Sequence, residues 1–476
     1  MDYYKAGFTD KDLRRAAPAA VGFGRQRRKI LDEVIAPEYI DFLGRSRVPR
    51  EVVHSVIGMV KSHGYVAGIN DSKPFFVSND ESNAFAVVHP GRGHHRLNRG
   101  IRLILTHIDS PCLKLKTSPT LLPGAQDDMV LLPGVLLDAQ NYGYIIPAHW
   151  MGRNLRLIGE VVSGGRTRRF ELPVFSSIYA AHLKDKKEVT EDDLKLETGA
   201  QSVRELYELL GVNGEADFAR LRSHVVPDEK PRLIGNGEFI SGYGHDDKAC
   251  VYAAVKALVE SKPTSPCFVF GLDKEEIGSH SPNAAFSGFV RRVISETLAR
   301  FSGNGRRTRP LEELIDRGLM KGVPAISADV DAGSGYFESQ SDTIDGNHIA
   351  KVLHGPAIYV HGVSEGNAVT QRRLDYMVTL LDENLGPTRQ IAERRYQITG
   401  SALNPSHSEP GETLARIFVR ENIDVMDMGP PVLAVHNLSE ELSSIDLYWT
   451  IQAYKAYFEE RPSFRGGGRK KVKPTD

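Results

Sequence analysis

Short apolar runs alternate with segments of helical period along most of this 476-residue chain, and that alternation restricts the fold more than any other feature. "IRLILTHID" (101–109), "PCFVFGLD" (266–273), "PAISADV" (324–330) and "PPVLAVH" (430–436) read as strands. "EVVHSVIGMVKSHGY" (51–65) puts Val52, Val56, Met59 and Val60 on one helical face, and "KACVYAAVKALVES" (248–261) is also helical. "GFVRRVISETLARF" (288–301) carries Phe289, Val293 and Leu298 as an apolar stripe. "SSIDLYWTIQAYKAYFEE" (443–460) closes the series as a helix, with Ser444 as its expected N-cap and Leu447, Ile451, Tyr454 and Phe458 as its buried face. Strands alternating with helices build a largely parallel sheet covered on both sides. The expected fold class is α/β, with a site beyond the carboxyl ends of the strands.

The chain is too long for one ordinary core, so more than one unit is expected. Residues 1–35 are basic and irregular and read as an N-terminal arm; the glycine- and lysine-rich 461–476 reads as a disordered basic tail. Between them, 117–240 breaks the alternation. It is turn-rich, with "LLPG" at 121–124 and 131–134, then strongly charged in "AAHLKDKKEVTEDDLKLETG" (180–199). That stretch is expected to be an inserted second domain, leaving 36–116 and 241–460 as one discontinuous α/β domain.

Composition narrows the function. Sixty basic against 61 acidic residues leave a net charge of −1, so nothing global favours nucleic acid or an anionic membrane. The longest apolar run, Met129 to Leu137, is broken by Pro133-Gly134 and falls far short of the roughly 18 residues of a spanning helix. Cys112, Cys250 and Cys267 have no metal-like spacing and no disulfide framework, which fits a reducing compartment; a cytoplasmic protein is expected.

Polar residues collect where the strands end. "THIDSP" offers His107 and Asp109, two apart and on one strand face: a metal-binding histidine and the carboxylate that orients it. Asp246 and Asp247 head the 248–261 helix, Glu275 and Glu276 follow the 266–273 strand, Asp329 ends the next and His436 the last. Singly, each reads more readily as a structural histidine, a helix cap or a solvated turn. Together they fall where an α/β fold gathers its site. Two histidines and three carboxylates (His107, Asp246, Glu276, Asp329, His436) suit two divalent cations, one carboxylate bridging. Three negative charges and a hydroxide then balance four positive ones. A further carboxylate must stay unligated to accept a proton, which gives adjacent glutamates separate tasks.

"THIDSPCLKLK", "GYGHDDKACVYAAVKAL", "DKEEIGSHS", "ISADV" and "IDVMDMGPPVLAVHNLSEE", in this order over about 37–459, resemble the M18 metallopeptidases, the aspartyl aminopeptidase family. The resemblance implies a zinc-exopeptidase-like mixed sheet flanked by helices, with 117–240 an inserted β-rich assembly domain. It makes Asp246, rather than Asp247, the bridge and Asp329, rather than Asp331, a ligand. His107 with Asp329 would hold one ion and Glu276 with His436 the other, with Glu275 the general base and Asp109 the orienter of His107. The implied activity is removal of the N-terminal residue, acidic in the aspartyl-specific members, from peptides. Zinc is the implied metal, although such carboxylate-rich sites also accept manganese or cobalt. The implied assembly is a homo-oligomer, often a dodecamer. Many members carry histidine three residues after the metal aspartate, where this chain has Ala332, and Gly152 and Asn437 also depart from the pattern. The hydrolytic chemistry is expected to persist while the preferred first residue changes. A dinuclear amidohydrolase of non-peptide amides or N-acyl amino acids is the alternative, and a non-catalytic assembly protein a more distant one. No G-x-S-x-G occurs, which sets a serine hydrolase aside.

Overall fold

The computed structural model describes residues 17–20, 23–79, 83–92, 100–118, 120–121, 135–163, 166–177, 189–235, 237–281, 284, 287–301, 325–334, 350–361, 371–385, 394–400, 413–415 and 423–459. At its centre is a nine-stranded mixed sheet. Its order is Val66–Ala67, Phe75–Ser78, Ala84–His89, Cys267–Leu272, Arg102–His107, Ala325–Ser327, Val425–Gly429, Ala357–His361, Gln397–Gly400. The middle four run parallel, so their carboxyl ends share one edge. Their side chains alternate between two cores. Ile104, Val269, Ile326 and Met426 face one core, and Leu103, Leu105, Phe268 and Phe270 face the other. Helices cover both faces: His245–Glu260 and Ser444–Glu459 pack on the first and Gly288–Phe301 on the second. A sheet buried on both sides needs apolar residues at every position, which is why its strands appear as unbroken runs.

A second sheet is antiparallel. Its order is Lys195–Glu197, Arg166–Ser177, Asn154–Ser163, Arg222–Pro227, Cys112–Leu115, Val135–Tyr142, Thr120–Leu121. Lys195–Glu197 also pairs with Val135–Tyr142, closing six of the strands on one another. Closure removes the exposed edges that such a sheet would otherwise present. Its interior is lined by Leu113, Trp150, Leu155, Leu196 and Val225 among others, all fully buried. The sheet spans 112–227 rather than 117–240. Its first strand begins three residues after Asp109, and Arg232–Ile234 and Phe239–Gly242 belong elsewhere.

That elsewhere is a six-stranded third sheet, ordered Arg232–Ile234, Phe239–Gly242, Glu440–Ser443, Pro431–Leu433, Asp331–Ser334, Ala350–Lys351. Here the structure departs from sequence expectation. The strand expected over 430–436 is Pro431–Leu433 alone, in the third sheet; the central sheet takes the preceding Val425–Gly429, which sequence reading had not marked as a strand. Pro430 separates them, and proline donates no ladder hydrogen bond. The arm expected over 1–35 is helical from Gly24 onward, with Leu31 and Ile35 buried in the first core. Basic residues on its outer face had hidden that amphipathic pattern. Ser443, not Ser444, caps the last helix, its Oγ accepting the Asp446 N–H at 3.2 Å. Residues 1–16 of the arm, the 461–476 tail and residues 180–188 of the 180–199 charged run lie outside the described residues. No described helix is long and apolar enough to cross a membrane.

Candidate metal centre

The residues singled out at the strand ends come together. His107 closes its strand 1% exposed, and its backbone N–H donates to Asp247 Oδ2 at 3.2 Å. Its Nε2 lies 3.0 Å from Asp246 Oδ1 and 3.4 Å from Asp329 Oδ1. Asp246 Oδ2 lies 3.1 Å from His436 Nε2, which in turn is 3.6 Å from Glu276 Oε2. Two groups of three result: His107, Asp246 and Asp329, and Asp246, Glu276 and His436. Within each, one ligand atom per residue falls within 4.8 Å of the others. Asp246 belongs to both.

Each side chain arrives by a different local device. Asp246 and Asp247 precede regular helical geometry, both with non-helical backbone angles, and the peptide bond between them is cis. Glu275 and Glu276 lie on a short 3₁₀ turn entered through Lys274, whose φ is +70°. Asp329 lies two residues beyond its strand, between the central and third sheets. His436 does not end a central strand as expected. It stands in the hairpin between Pro431–Leu433 and Glu440–Ser443, with φ at +67°.

Asp109 ties the set together. His107 Nδ1 is 3.2 Å from its backbone oxygen and 3.6 Å from its Oδ1. The same carboxylate accepts the Glu275 N–H at 3.1 Å, the Glu276 N–H at 3.2 Å and the Tyr142 hydroxyl at 2.8 Å. Burial pushes the Asp109 carboxyl up, but hydrogen bonding and charge from His107, with the Tyr142 bond, outweigh it and hold the group below its ordinary range. Burial also acts against an ionised Asp246, and the two histidines overcome it, so this carboxyl too is held down. Glu275 and Glu276 move the other way. Burial, then the crowd of neighbouring carboxylates, pushes both well above the usual carboxyl range.

Such crowding suits cations. His107 Nε2 and Asp246 Oδ1 lie 3.0 Å apart without the alignment of a hydrogen bond, and both atoms, with Glu276 Oε1, are buried and have no hydrogen-bond partner among the described residues. Unsatisfied buried donor-set atoms of this kind fit divalent ions, for which histidine and carboxylate are the ordinary zinc ligands. Sequence reading passed over three supporting groups. Tyr142 comes from the second sheet and carried no local signal. Asp247 was weighed only as an alternative ligand. Glu440, 1% exposed, accepts backbone N–H groups at the site; its place four residues after His436 was the available clue.

Comparison with known proteins gives the family. The family model described as aminopeptidase I zinc metalloprotease (M18) matches residues 42–171 and 166–458. A probable M18 family aminopeptidase 1 from Thermotoga neapolitana is 28% identical over 466 residues, covering 92% of this chain and 97% of that protein. An M18-family aminopeptidase crystal structure from Thermotoga maritima superposes with a TM-score of 0.78 at 24% identity, covering 94% of this chain and 99% of that one. An S. cerevisiae aminopeptidase solved as a dodecamer gives a TM-score of 0.65 at 17% identity over 90% of this chain and 97% of the other. The family match spans nearly the whole of the described fold, and the chain belongs to the M18 family of metallopeptidases as a metal-dependent aminopeptidase.

Proposed function

We propose that the protein removes the N-terminal residue of peptides at a centre of two divalent ions. His107 and Asp329 would hold one, Glu276 and His436 the other, and Asp246 would be shared between them. The observation that carries this reading is the pair of three-residue groups sharing Asp246. When bound, such ions supply Lewis acidity toward a scissile carbonyl and a water acidic enough to act near neutral pH. Glu275 serves as general base, taking the water's proton and returning it to the leaving amine. Its backbone N–H is fixed by Asp109. Asp109 holds His107 in the orientation its ligand role needs. Zinc, named in the family description, is the first candidate ion, with manganese and cobalt the others to test.

The central and third sheets with their helices form the catalytic part in this reading, and the 112–227 sheet mediates self-association. Supporting that assembly, the second-sheet segment exposes Tyr144, Ile146, Val162, Phe175 and Leu209, and a relative was solved as a dodecamer. Three buried free cysteines suit a cytoplasmic setting. Ala332 is exposed where an acid-specific histidine would stand, so the first residue accepted is expected to extend beyond aspartate and glutamate. The test is hydrolysis of dipeptides with acidic, basic and apolar first residues by zinc-, manganese- or cobalt-loaded protein. Release of the first residue that a chelator abolishes is the expected result; release that survives the chelator overturns the reading.

A further inference from the structure

The two metal positions are supported by different means. Around His107 and Asp329 the supports are Asp109 on the ring and Asp247 on the His107 N–H. Around His436 the side chain that reaches the backbone is Glu440. Its Oε1 accepts the His436 N–H at 2.8 Å and its Oε2 the Asp246 N–H at 3.1 Å. One carboxylate thus grips the main chains of a hairpin ligand and of the shared ligand. The third sheet places it there. Glu440 lies opposite Gly242, four residues before Asp246, in the pairing of Phe239–Gly242 with Glu440–Ser443.

The grip meets two needs. His436 is a non-glycine residue in the left-handed region, a conformation that persists only where its surroundings impose it. The Asp246 peptide is held from its other side as well. Its carbonyl accepts the Ser110 hydroxyl, and Ser110 Oγ accepts from Lys248 Nζ at 2.6 Å. Gly244 makes room for that lysine: a Cβ there would lie 2.1 Å from Nζ. Glu440 and Lys248, both fully buried and opposite in charge, therefore flank the Asp246 peptide.

We propose that Glu440 is a positioning residue that sets the affinity of the second metal position by holding the backbones of Asp246 and His436 in register. The inference rests on the two-ion reading above. Glu440→Gln is nearly isosteric, but an amide offers one acceptor oxygen where two N–H groups need one each. Cobalt titration followed by its visible absorption reads the two positions separately, with metal content after dialysis as a second measure. Glu440→Gln is expected to bind the first ion as wild type does and the second about 10- to 100-fold more weakly, the usual effect of losing a support behind a ligand. Excess metal should restore kcat while KM stays unchanged, a rescue that general misfolding would not show. Wild-type affinity for both ions, or equal loss of both, overturns the proposal. His436→Ala is the control. If the wild type itself binds fewer than two ions, the two-ion reading fails; if His436→Ala loses one while Glu440→Gln loses neither, only the role of Glu440 fails. Glu440→Asp covers the case in which Glu440→Gln does not fold. Its shorter carboxylate cannot reach both the His436 and the Asp246 N–H groups, so the second ion should again bind more weakly than the first, and unchanged affinities overturn the proposal.

Discussion

Asp109 receives four contacts on its carboxyl group and its own carbonyl, and through them it positions His107, a proposed ligand, Glu275, the proposed general base, and the neighbouring Glu276. Removing the base without disturbing that frame is the direct test of the roles. Glu275→Gln should lower kcat by about 10²–10⁴, the usual worth of a general base, with metal content unchanged. His436→Ala should lose one ion, and the reverse pattern would contradict the assignment. A second prediction concerns stability away from the site. His89 Nδ1 accepts the Gly91 N–H at 3.0 Å, and burial, then Arg92, holds its pKa down to about 4 from 6.5. Above pH 6.5 the ring is neutral in both folded and unfolded chains, so its contribution is fully present. As pH falls from 6.5 toward 4, the unfolded chain takes up a proton that the folded one refuses, and that contribution is lost. Urea unfolding of wild type and His89→Asn at several pH values should show the wild-type advantage shrinking over this window; an advantage constant with pH contradicts it.

At the level of elements, the site depends on where strands stop. The four parallel strands deliver His107, Asp329 and the Glu275–Glu276 turn to one edge, while the 431–443 hairpin of another sheet supplies His436. The two sources meet at Gly429, the last residue of the Val425–Gly429 strand. A Cβ at Gly429 would lie 1.9 Å from the Asp329 carbonyl oxygen and 3.0 Å from Cys250 Sγ. Since Asp329 is a proposed ligand, overpacking here should act on both stability and metal binding. Gly429→Ala is expected to destabilise the fold by about 1–3 kcal/mol, the usual cost of forcing a methyl into a filled core. Denaturant unfolding measures that loss. A metal titration should show weakened binding at the His107–Asp329 position, and normal binding would separate the backbone contact from the ligand.

For the whole molecule, the closed second sheet is joined to the catalytic part through Cys112–Leu115 and through Tyr142 on Asp109, so association through it would bear on the site. The proposed assembly has a mass that light scattering resolves, twelve times the 52.7 kDa of the chain. Val162→Asp, on a side chain 50% exposed in that sheet, should lower the mass without unfolding the subunit. A wild-type monomer would dispose of the assembly reading.

The sequence by itself determined the α/β class, the central strands around 102–107, 267–272 and 325–327, and the polar residues His107, Glu275, Glu276 and Asp329 that follow them. Those signals are local: an unbroken apolar run marks a strand covered on both faces, and a polar residue ending it marks the edge where such a sheet binds. It also held the ordered motifs that mark the family. Local pattern did not show that 24–35 would fold as a helix against the core, because its outer face is basic. Nor did it show that 425–429 would supply the central strand while "PPVLAVH" went to another sheet. Tertiary structure alone decided that Asp246 stands between the two histidines while Asp247 takes the His107 N–H, and that Glu440 and Tyr142 support the centre. Each of those facts is a distance between segments remote in sequence, set by sheet register and by buried polar groups that must find partners, and neither is written in spacing along the chain.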